Sequence, residues 1–123
     1  MASDAKYMRD NVAVVCALRH RRTGAVVVVA SCHLYWNPGF EDVKLHQTMY
    51  LLHSVVNFTR SLPDSDSRFS PSVILAGDLN STPDSHVYKL LTTGILEREP
   101  VVRCPNEVRL LFDEQLAKVC RWV

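Results

Sequence analysis

The sequence lacks the features that mark membrane-spanning, secreted or zinc-binding proteins. No stretch approaches the ~20 apolar residues that a membrane span needs, and no long apolar segment follows the first residues as in a signal peptide. The cysteines form no C-x-x-C pair and have no histidines at zinc-ligand spacing. We therefore expect an intracellular chain with no membrane contact and with reduced thiols, of which Cys16 and Cys32 lie in apolar stretches typical of a core.

The chain also lacks a strong charge imbalance. It has 14 Lys and Arg against 13 Asp and Glu, a formal net charge of +1. Any nucleic-acid contact must therefore come from a local site and not from an overall basic field. The one basic run, residues 19–22 (Arg-His-Arg-Arg), lies between two apolar stretches. We interpret it as a solvated turn, with contact to a phosphate backbone as the alternative.

The apolar segments that are present predict one layered α/β domain. With 123 residues, 47% of them hydrophobic, the chain can bury a modest core. Two β-branched runs, residues 12–18 and 25–31, flank a segment that ends in Gly24, which predicts a hairpin. Residues 73–76 predict a third buried strand. Because the first two runs do not alternate polar and apolar residues, we expect both strands to be covered on both faces.

Helical spacing appears between the second and third strands. Over residues 41–60 apolar side chains recur every three or four positions, which predicts an amphipathic helix. Asp84 or Ser85 is expected to cap a second, short helix that ends at Gly94. Asn106 is expected to cap a third helix. The apolar face of the first helix comprises Leu45, Thr48, Met49, Leu51, Leu52, Val55 and Val56.

The strongest chemical signal is residues 77–83 (Gly-Asp-Leu-Asn-Ser-Thr-Pro), directly after the third strand. Residues two apart in an extended chain point the same way, so Asp78 and Asn80 should project together at the strand's carboxyl end, with Gly77 leaving space beside them. Open α/β sheets place their ligands at this edge. A carboxylate can activate a water or hold a metal, and an amide can orient a phosphate. The alternative is a simple turn, which these residue types favour.

A histidine ends the second apolar strand in the same manner, and we expect it to converge with Asp78 and Asn80 at one rim of the sheet. His33 can donate a hydrogen bond to a phosphate oxygen; a satisfied structural histidine is the alternative. Trp36 and Pro38 follow it and would form an apolar wall for a base, since aromatic stacking is common in single-stranded RNA recognition. The alternative places Trp36 in the core or as a surface cap. No role is assigned to the remaining histidines, which are His20, His46, His53 and His86.

Residues 33–38 followed by residues 77–83 resemble the endonuclease/exonuclease/phosphatase superfamily. Within it they resemble the branch that contains the deadenylases, nocturnin, the Angel proteins and the 2′,5′-phosphodiesterases. Residues 42–47 resemble that branch too, and the resemblance covers about residues 11–95. It implies a two-sheet α/β sandwich and a Mg²⁺-dependent phosphodiesterase. A 3′-to-5′ exoribonuclease of deadenylase type, with RNA as substrate, is the function it favours; DNA or a phosphoinositide is the alternative substrate.

The resemblance also implies roles for individual residues. Asp78 would orient or activate the attacking water and would be a Mg²⁺ ligand. Asn80 would contact the scissile phosphate, and His33 would stabilise the transition state. Pro38 would pack near an adenine, with Trp36 beside it in the substrate site.

The sequence departs from the family pattern at two places. The family carries a metal-binding Glu upstream, whereas residues 1–11 contain none, and it ends in an Asp-His pair, whereas no histidine follows His86. We therefore expect residues 1–123 to be a single partial domain whose amino-terminal and carboxyl-terminal strands are missing. Alone it would bind Mg²⁺ poorly and be inactive. The alternative is a non-catalytic, truncated or degenerate domain that binds RNA or a protein partner.

Overall fold

The computed structural model describes residue 7 and residues 9–63, 71–96 and 102–103. Within these ranges the chain is α/β, as the sequence predicts. The helix expected after Asn106 lies outside the described residues. The elements, in chain order, are β1 (Ala13–Arg19), β2 (Val26–His33), α1 (Glu41–Ser61), β3 (Ser72–Asp78), α2 (His86–Thr93), β4 (Ile95–Leu96) and β5 (Val102–Arg103). The sequence did not predict the short β4–β5 pair.

The predicted hairpin is confirmed. β1 and β2 pair antiparallel, with Val15 opposite Ala30, and the turn is closed by a 2.8 Å hydrogen bond from the His20 amide to the Ala25 carbonyl. The basic run, residues 19–22, is exposed in this turn. At ~3.3 Å per residue, β2 is about 25 Å long, so the turn with the basic run lies about that far from the end of β2 at His33. The basic run therefore lies far from the edge at which His33 ends β2.

The β2–α1–β3 unit determines which strand ends meet. β2 lies in the middle of the three-stranded sheet, with the order β1-β2-β3. Parallel strands need a crossover connection, and α1 supplies it between β2 and β3. The two strands pair parallel from Val27 opposite Ser72 to His33 opposite Asp78. Because parallel strands end at the same edge, the polar residues that close β2 and β3 become neighbours.

The core lies between α1 and one face of the sheet. On β2 the covered face carries Val28 and Ala30, both fully buried. The predicted apolar face of α1 is confirmed, and its buried hydroxyls are satisfied: Thr48 and Thr59 each donate to the carbonyl four residues earlier. The buried residues of α1 are Val43, Lys44, Leu45, Thr48, Leu51, Leu52, Val55, Val56 and Thr59.

The prediction that the strands are covered on both faces is wrong for β1, and β3 is not the buried strand that was expected. Val14 on β1 is 64% exposed and Ile74 on β3 is 48% exposed. Of the two cysteines expected in the core, Cys32 is buried and Cys16 is exposed. Side chains alternate between the faces of a strand, and in the described part of the chain the helices cover one face. A continuous apolar run does not reveal which residues face an uncovered side.

The second helix has the ends that the sequence predicts. Of the two candidate caps, Ser85 is the residue that accepts a hydrogen bond, from the Tyr88 amide at 3.1 Å. Gly94 ends the helix in the left-handed conformation, with φ +70°. The fully buried Val87 and Leu90 join α2 to the core. In the described ranges, neither helix is long and apolar enough to cross a membrane.

A carboxylate on α1 joins the two helices. Glu41 accepts the backbone N–H of His86 in the first turn of α2, and its Oε2 lies 2.9 Å from Nδ1 of the same residue. Burial raises the pKa of Glu41, but the contacts from the side chain and backbone of His86, with the charges of His86 and Lys44, outweigh it. The pKa is therefore held below its ordinary value of 4.5. This gives His86 a structural role that the sequence did not reveal.

The lowered pKa of Glu41 predicts acid sensitivity. A carboxyl whose pKa is lower in the folded state stabilises the fold above its unfolded pKa, and that stabilisation is lost as the pH falls through the folded pKa. The free energy of unfolding, measured by urea denaturation, should therefore fall more between about pH 6 and about pH 3 in the wild type than in Glu41→Gln. Equal falls in the two proteins would contradict this assignment.

Candidate active site

His33 and Asp78 lie side by side where β2 and β3 end. They are paired in the parallel register, and the Leu34 amide donates to the Asp78 carbonyl at 2.9 Å. His33 Nε2 lies 3.7 Å from Asp78 Oδ2, with the two side chains 68% and 64% exposed. This distance is longer than a hydrogen bond. The imidazole and the carboxylate therefore face the same solvent-open space without being bonded to each other, as the sequence argument for convergence requires.

Asn80 reaches the same edge by a turn and not by strand alternation, which corrects the sequence argument. β3 ends at Asp78, and Asn80 has φ +45°. Its backbone N–H donates to Asp78 Oδ1 at 2.8 Å, and its Nδ2 donates to the Leu34 carbonyl at 2.8 Å. The segment is therefore the Asx-type turn of the alternative interpretation. That turn ties the amide to both strand ends.

Gly77 allows the backbones of β2 and β3 to approach each other closely. The sequence suggested that it leaves space beside the polar side chains. A Cβ on Gly77 would instead lie 1.9 Å from the carbonyl oxygen of Cys32 on the neighbouring strand. The close pairing of β2 and β3 immediately before His33 and Asp78 therefore requires a glycine at this position.

Cys32 is not a candidate nucleophile. Burial raises the pKa of its thiol, and the charge of Asp78 raises it further. The reactive form of cysteine is the thiolate. A buried thiol with a raised pKa stays protonated, which agrees with the predicted structural role of this cysteine.

The loop after His33 carries an aromatic group. Trp36 is 67% exposed, so it does not lie in the core. Its ring centroid lies 6.0 Å from that of Tyr35, which in turn meets Phe40 edge-on at 5.9 Å. The guanidinium of Arg9 lies 4.8 Å from the Tyr35 ring centroid, within range of a cation–π contact. Pro38, in the same loop, is exposed. Substrate contacts of Trp36 and Pro38 remain predictions.

Two side-chain amides hold the backbone around His33. Asn11, just before β1, donates from Nδ2 to the His33 carbonyl at 2.8 Å. Gln47 on α1 accepts the Tyr35 amide at 2.9 Å and donates to Asn11 Oδ1 at 3.1 Å. Neither residue was predicted from the sequence to have a role. Gln47 lies in residues 42–47, the segment that shares the family resemblance, and that was the available signal.

A buried lysine holds the other strand end. The side chain of Lys44 is almost fully buried, with a relative exposure of 4%, and its Nζ donates to the Asn80 carbonyl at 2.8 Å. This contact was not predicted from the sequence either. Lys44 precedes Leu45 and lies one helical turn before Thr48, so its position on the apolar face of α1 was the signal available.

The donor atoms at this edge suit a cation that keeps most of its water. Within the described ranges, no group of three or more His, Cys, Asp or Glu residues comes together. Asp78 Oδ2 is free of hydrogen bonds within the turn, since the Asn80 N–H donates to Oδ1. Mg²⁺ prefers oxygen ligands and is commonly held by one or two carboxylates with several waters. In the described part of the chain, Asp78 therefore fits Mg²⁺ only as a single carboxylate ligand of a water-rich, weakly held ion.

Sequence comparisons identify similar proteins. No family model matches the chain. The CCR4-Not complex 3′-5′-exoribonuclease subunit Ccr4 of Yarrowia lipolytica is 34% identical over 102 residues, covering 70% of this chain and 14% of the relative. Carbon catabolite repressor protein 4 homolog 4 of Arabidopsis thaliana is 41% identical over 87 residues, covering 70% of this chain and 21% of the relative. The chain thus spans about a fifth or less of these two relatives.

Solved structures share the fold. The human Nocturnin catalytic domain with bound sulfate matches with a TM-score of 0.59 and 26% identity, over 69% of this chain and 29% of that one. ANGEL2, described as a 2′,3′-cyclic phosphatase and solved with adenosine-2′,3′-vanadate, matches with a TM-score of 0.62 and 34% identity. That match covers 72% of this chain and 24% of ANGEL2.

The sequence relatives and the matched structures define the class: the chain belongs to the endonuclease/exonuclease/phosphatase superfamily. The similarity to the two Ccr4-type relatives, Nocturnin and ANGEL2 places it in the deadenylase, nocturnin and Angel branch of that superfamily. The family assignment made from the sequence is therefore confirmed.

Proposed function

We propose that this chain is part of a Mg²⁺-dependent 3′-to-5′ exoribonuclease of deadenylase type, intracellular like a CCR4-Not subunit. The observation that carries the proposal is the 3.7 Å approach of His33 Nε2 to Asp78 Oδ2 at one sheet edge. The Ccr4 relatives, which are named as 3′-5′-exoribonuclease subunits, support RNA as the substrate. Because the chain spans a small share of these relatives, we propose activity for the complete domain and little for the chain alone.

Each site residue has an atom free for the proposed reaction. Asn80 Nδ2 carries two protons, of which the Leu34 carbonyl takes one, so the other can donate to a phosphate oxygen. Protonated His33 can donate to another phosphate oxygen and stabilise the charge that develops there. Asp78 Oδ2 can accept a proton from the attacking water or orient it. The water oxygen then bonds to phosphorus as the bond to the leaving oxygen breaks.

Asp78 would hold Mg²⁺. When bound, such an ion neutralises charge on the phosphate and lowers the pKa of bound water. Trp36 and Pro38 would contact the base next to the scissile phosphate. The exposed indole is available for stacking, which is worth about 1–3 kcal/mol per base in single-strand binding.

A domain hybrid tests the proposal. Residues 11–95 would replace the matching segment of Yarrowia Ccr4, and the hybrid would be incubated with 5′-labelled oligo(A) and resolved on a sequencing gel. We expect stepwise shortening with Mg²⁺, none with EDTA, and little or none from the 123-residue chain alone. A hybrid that folds by circular dichroism and elutes as a single species, yet leaves oligo(A) intact while the parent enzyme shortens it, would contradict the proposal. That result would favour the non-catalytic alternative.

A second candidate activity follows from ANGEL2, which is described as a 2′,3′-cyclic phosphatase and is 34% identical over the matched segment. Opening of an adenosine 2′,3′-cyclic phosphate is also attack by water on a phosphodiester, so the same side chains would serve it. A hybrid that carries residues 11–95 in ANGEL2, assayed on RNA that ends in a 2′,3′-cyclic phosphate, distinguishes this activity from the exoribonuclease activity. The same comparison with abasic DNA and phosphoinositides tests the remaining substrate alternatives.

A further inference from the structure

Two polar residues of α1 contact both strand ends of the site. Lys44 donates to the Asn80 carbonyl in the turn after β3. Gln47 accepts the Tyr35 amide after β2 and, through Asn11, supports the carbonyl of His33. Residues three apart lie on the same side of a helix. One helical turn therefore contacts both segments that carry the candidate catalytic groups.

We propose that Lys44 and Gln47 are positioning residues that fix the His33 strand end relative to the Asp78–Asn80 turn. The proposal rests on the proposed function for its catalytic meaning, while the positioning itself is a property of the fold. Both side chains contact protein atoms: Lys44 is buried, and Gln47 accepts from the Tyr35 amide and donates to Asn11.

The backbone conformation of Asn80 explains why the turn needs a contact from another element. Asn80 adopts φ +45°. This backbone conformation costs free energy in any residue that has a side chain, and it persists where surrounding contacts hold it in place. Three contacts do so: its N–H to Asp78, its Nδ2 to Leu34 and its carbonyl to Lys44. The first two come from the strand ends themselves, and the contact with Lys44 ties the turn to α1.

The chemistry of Lys44 agrees with a positioning role. An ammonium group is costly to bury unless it is paired and hydrogen-bonded, and here it has a carbonyl partner and the nearby charge of Glu41. Glu41 in turn contacts His86 at the start of α2. A fully apolar residue would fill the same space on α1 but would leave the Asn80 carbonyl without this donor.

Amide hydrogen exchange in the 123-residue chain, followed by NMR, tests the proposal without any activity assay. In Lys44→Met the backbone N–H of Asn80 should exchange at least about tenfold faster than in the wild type, and its side-chain NH₂ signals should shift. In Gln47→Met the same acceleration should appear at the Tyr35 N–H. Lys44→Arg, which keeps a cationic donor, should restore most of the Asn80 protection.

Matched controls separate positioning from general destabilisation. Lys89→Met on α2 and Asn57→Met on α1 replace exposed polar residues and should leave both amides unchanged. Core amides such as those of Val28 and Val55 should keep their protection in all variants. Uniform acceleration that includes these core amides, or unchanged exchange at Asn80 in Lys44→Met, would overturn the proposal. Failure of the RNA assay with these NMR results intact would count against the proposed function alone.

Discussion

Replacing Gly77 by alanine should unfold the chain or cost about 2–6 kcal/mol of its free energy of unfolding. The alanine Cβ would lie 1.9 Å from the Cys32 carbonyl oxygen and 2.8 Å from the Cys32 nitrogen, both backbone atoms of the paired strand. It would also have to adopt φ +129°, which is unfavourable for any residue with a side chain. Backbone atoms in a strand ladder cannot move aside like a flexible side chain, so β2 and β3 would separate at the site.

Gly24→Ala is the matched control for this prediction. Gly24 also has a positive φ, +74°, but a Cβ there meets nothing within 4 Å. Its substitution should cost about 1–2 kcal/mol, from backbone conformation alone. Urea denaturation followed by circular dichroism measures both variants. Equal losses at the two glycines would mean that the close approach of Cys32 to Gly77 contributes nothing.

Replacing Asp78 should abolish the proposed activity while leaving the fold in place. Asp78→Ala removes the carboxylate, and Asp78→Asn is the sharper test because its remaining oxygen can still accept the Asn80 N–H that Oδ1 now accepts. Loss of a group that orients or deprotonates water costs about 10²–10⁴-fold in rate. We therefore expect kcat/KM for oligo(A) in the Ccr4 hybrid to fall about 1000-fold or more.

The control for Asp78 lies in the same loop. Asp84 is exposed, and Asp84→Asn removes the same charge six residues further along the chain. Its kcat/KM should stay within about threefold of the unsubstituted hybrid, and thermal unfolding should confirm that both variants are folded. Turnover that survives in Asp78→Asn would remove the proposed role of this carboxylate and, with it, the physical basis of the nuclease mechanism.

Local patterns predicted most elements of the fold. The turn before β2, the long amphipathic α1 and the α2 ends at Ser85 and Gly94 all depend on neighbours within a few residues. Burial was harder to predict. Val14, Cys16 and Ile74 were expected to be covered and are exposed, because the identity of the covered face depends on which elements pack on the sheet.

The candidate site was likewise predicted only in part from the sequence. The sequence predicted that His33 and Asp78 meet, since each ends an apolar strand and the strands were expected to lie in one sheet. It did not predict how Asn80 joins them, because φ +45° and the contact to Leu34 depend on tertiary structure. Lys44, Gln47 and Asn11 were missed because their partners lie 12 to 36 residues away in the chain.

The sequence by itself determined the order of elements from β1 to α2, the apolar face of α1 and the polar residues that end β2 and β3, because periodicity and turn chemistry depend on neighbouring residues. Only the tertiary structure decided that His33 and Asp78 are paired at 3.7 Å, that Gly77 permits two backbones to approach, and that a helix lysine supports the Asn80 turn. These contacts follow from the parallel register of β2 and β3 and from the packing of α1 across them. Both depend on residues that lie far apart in the chain.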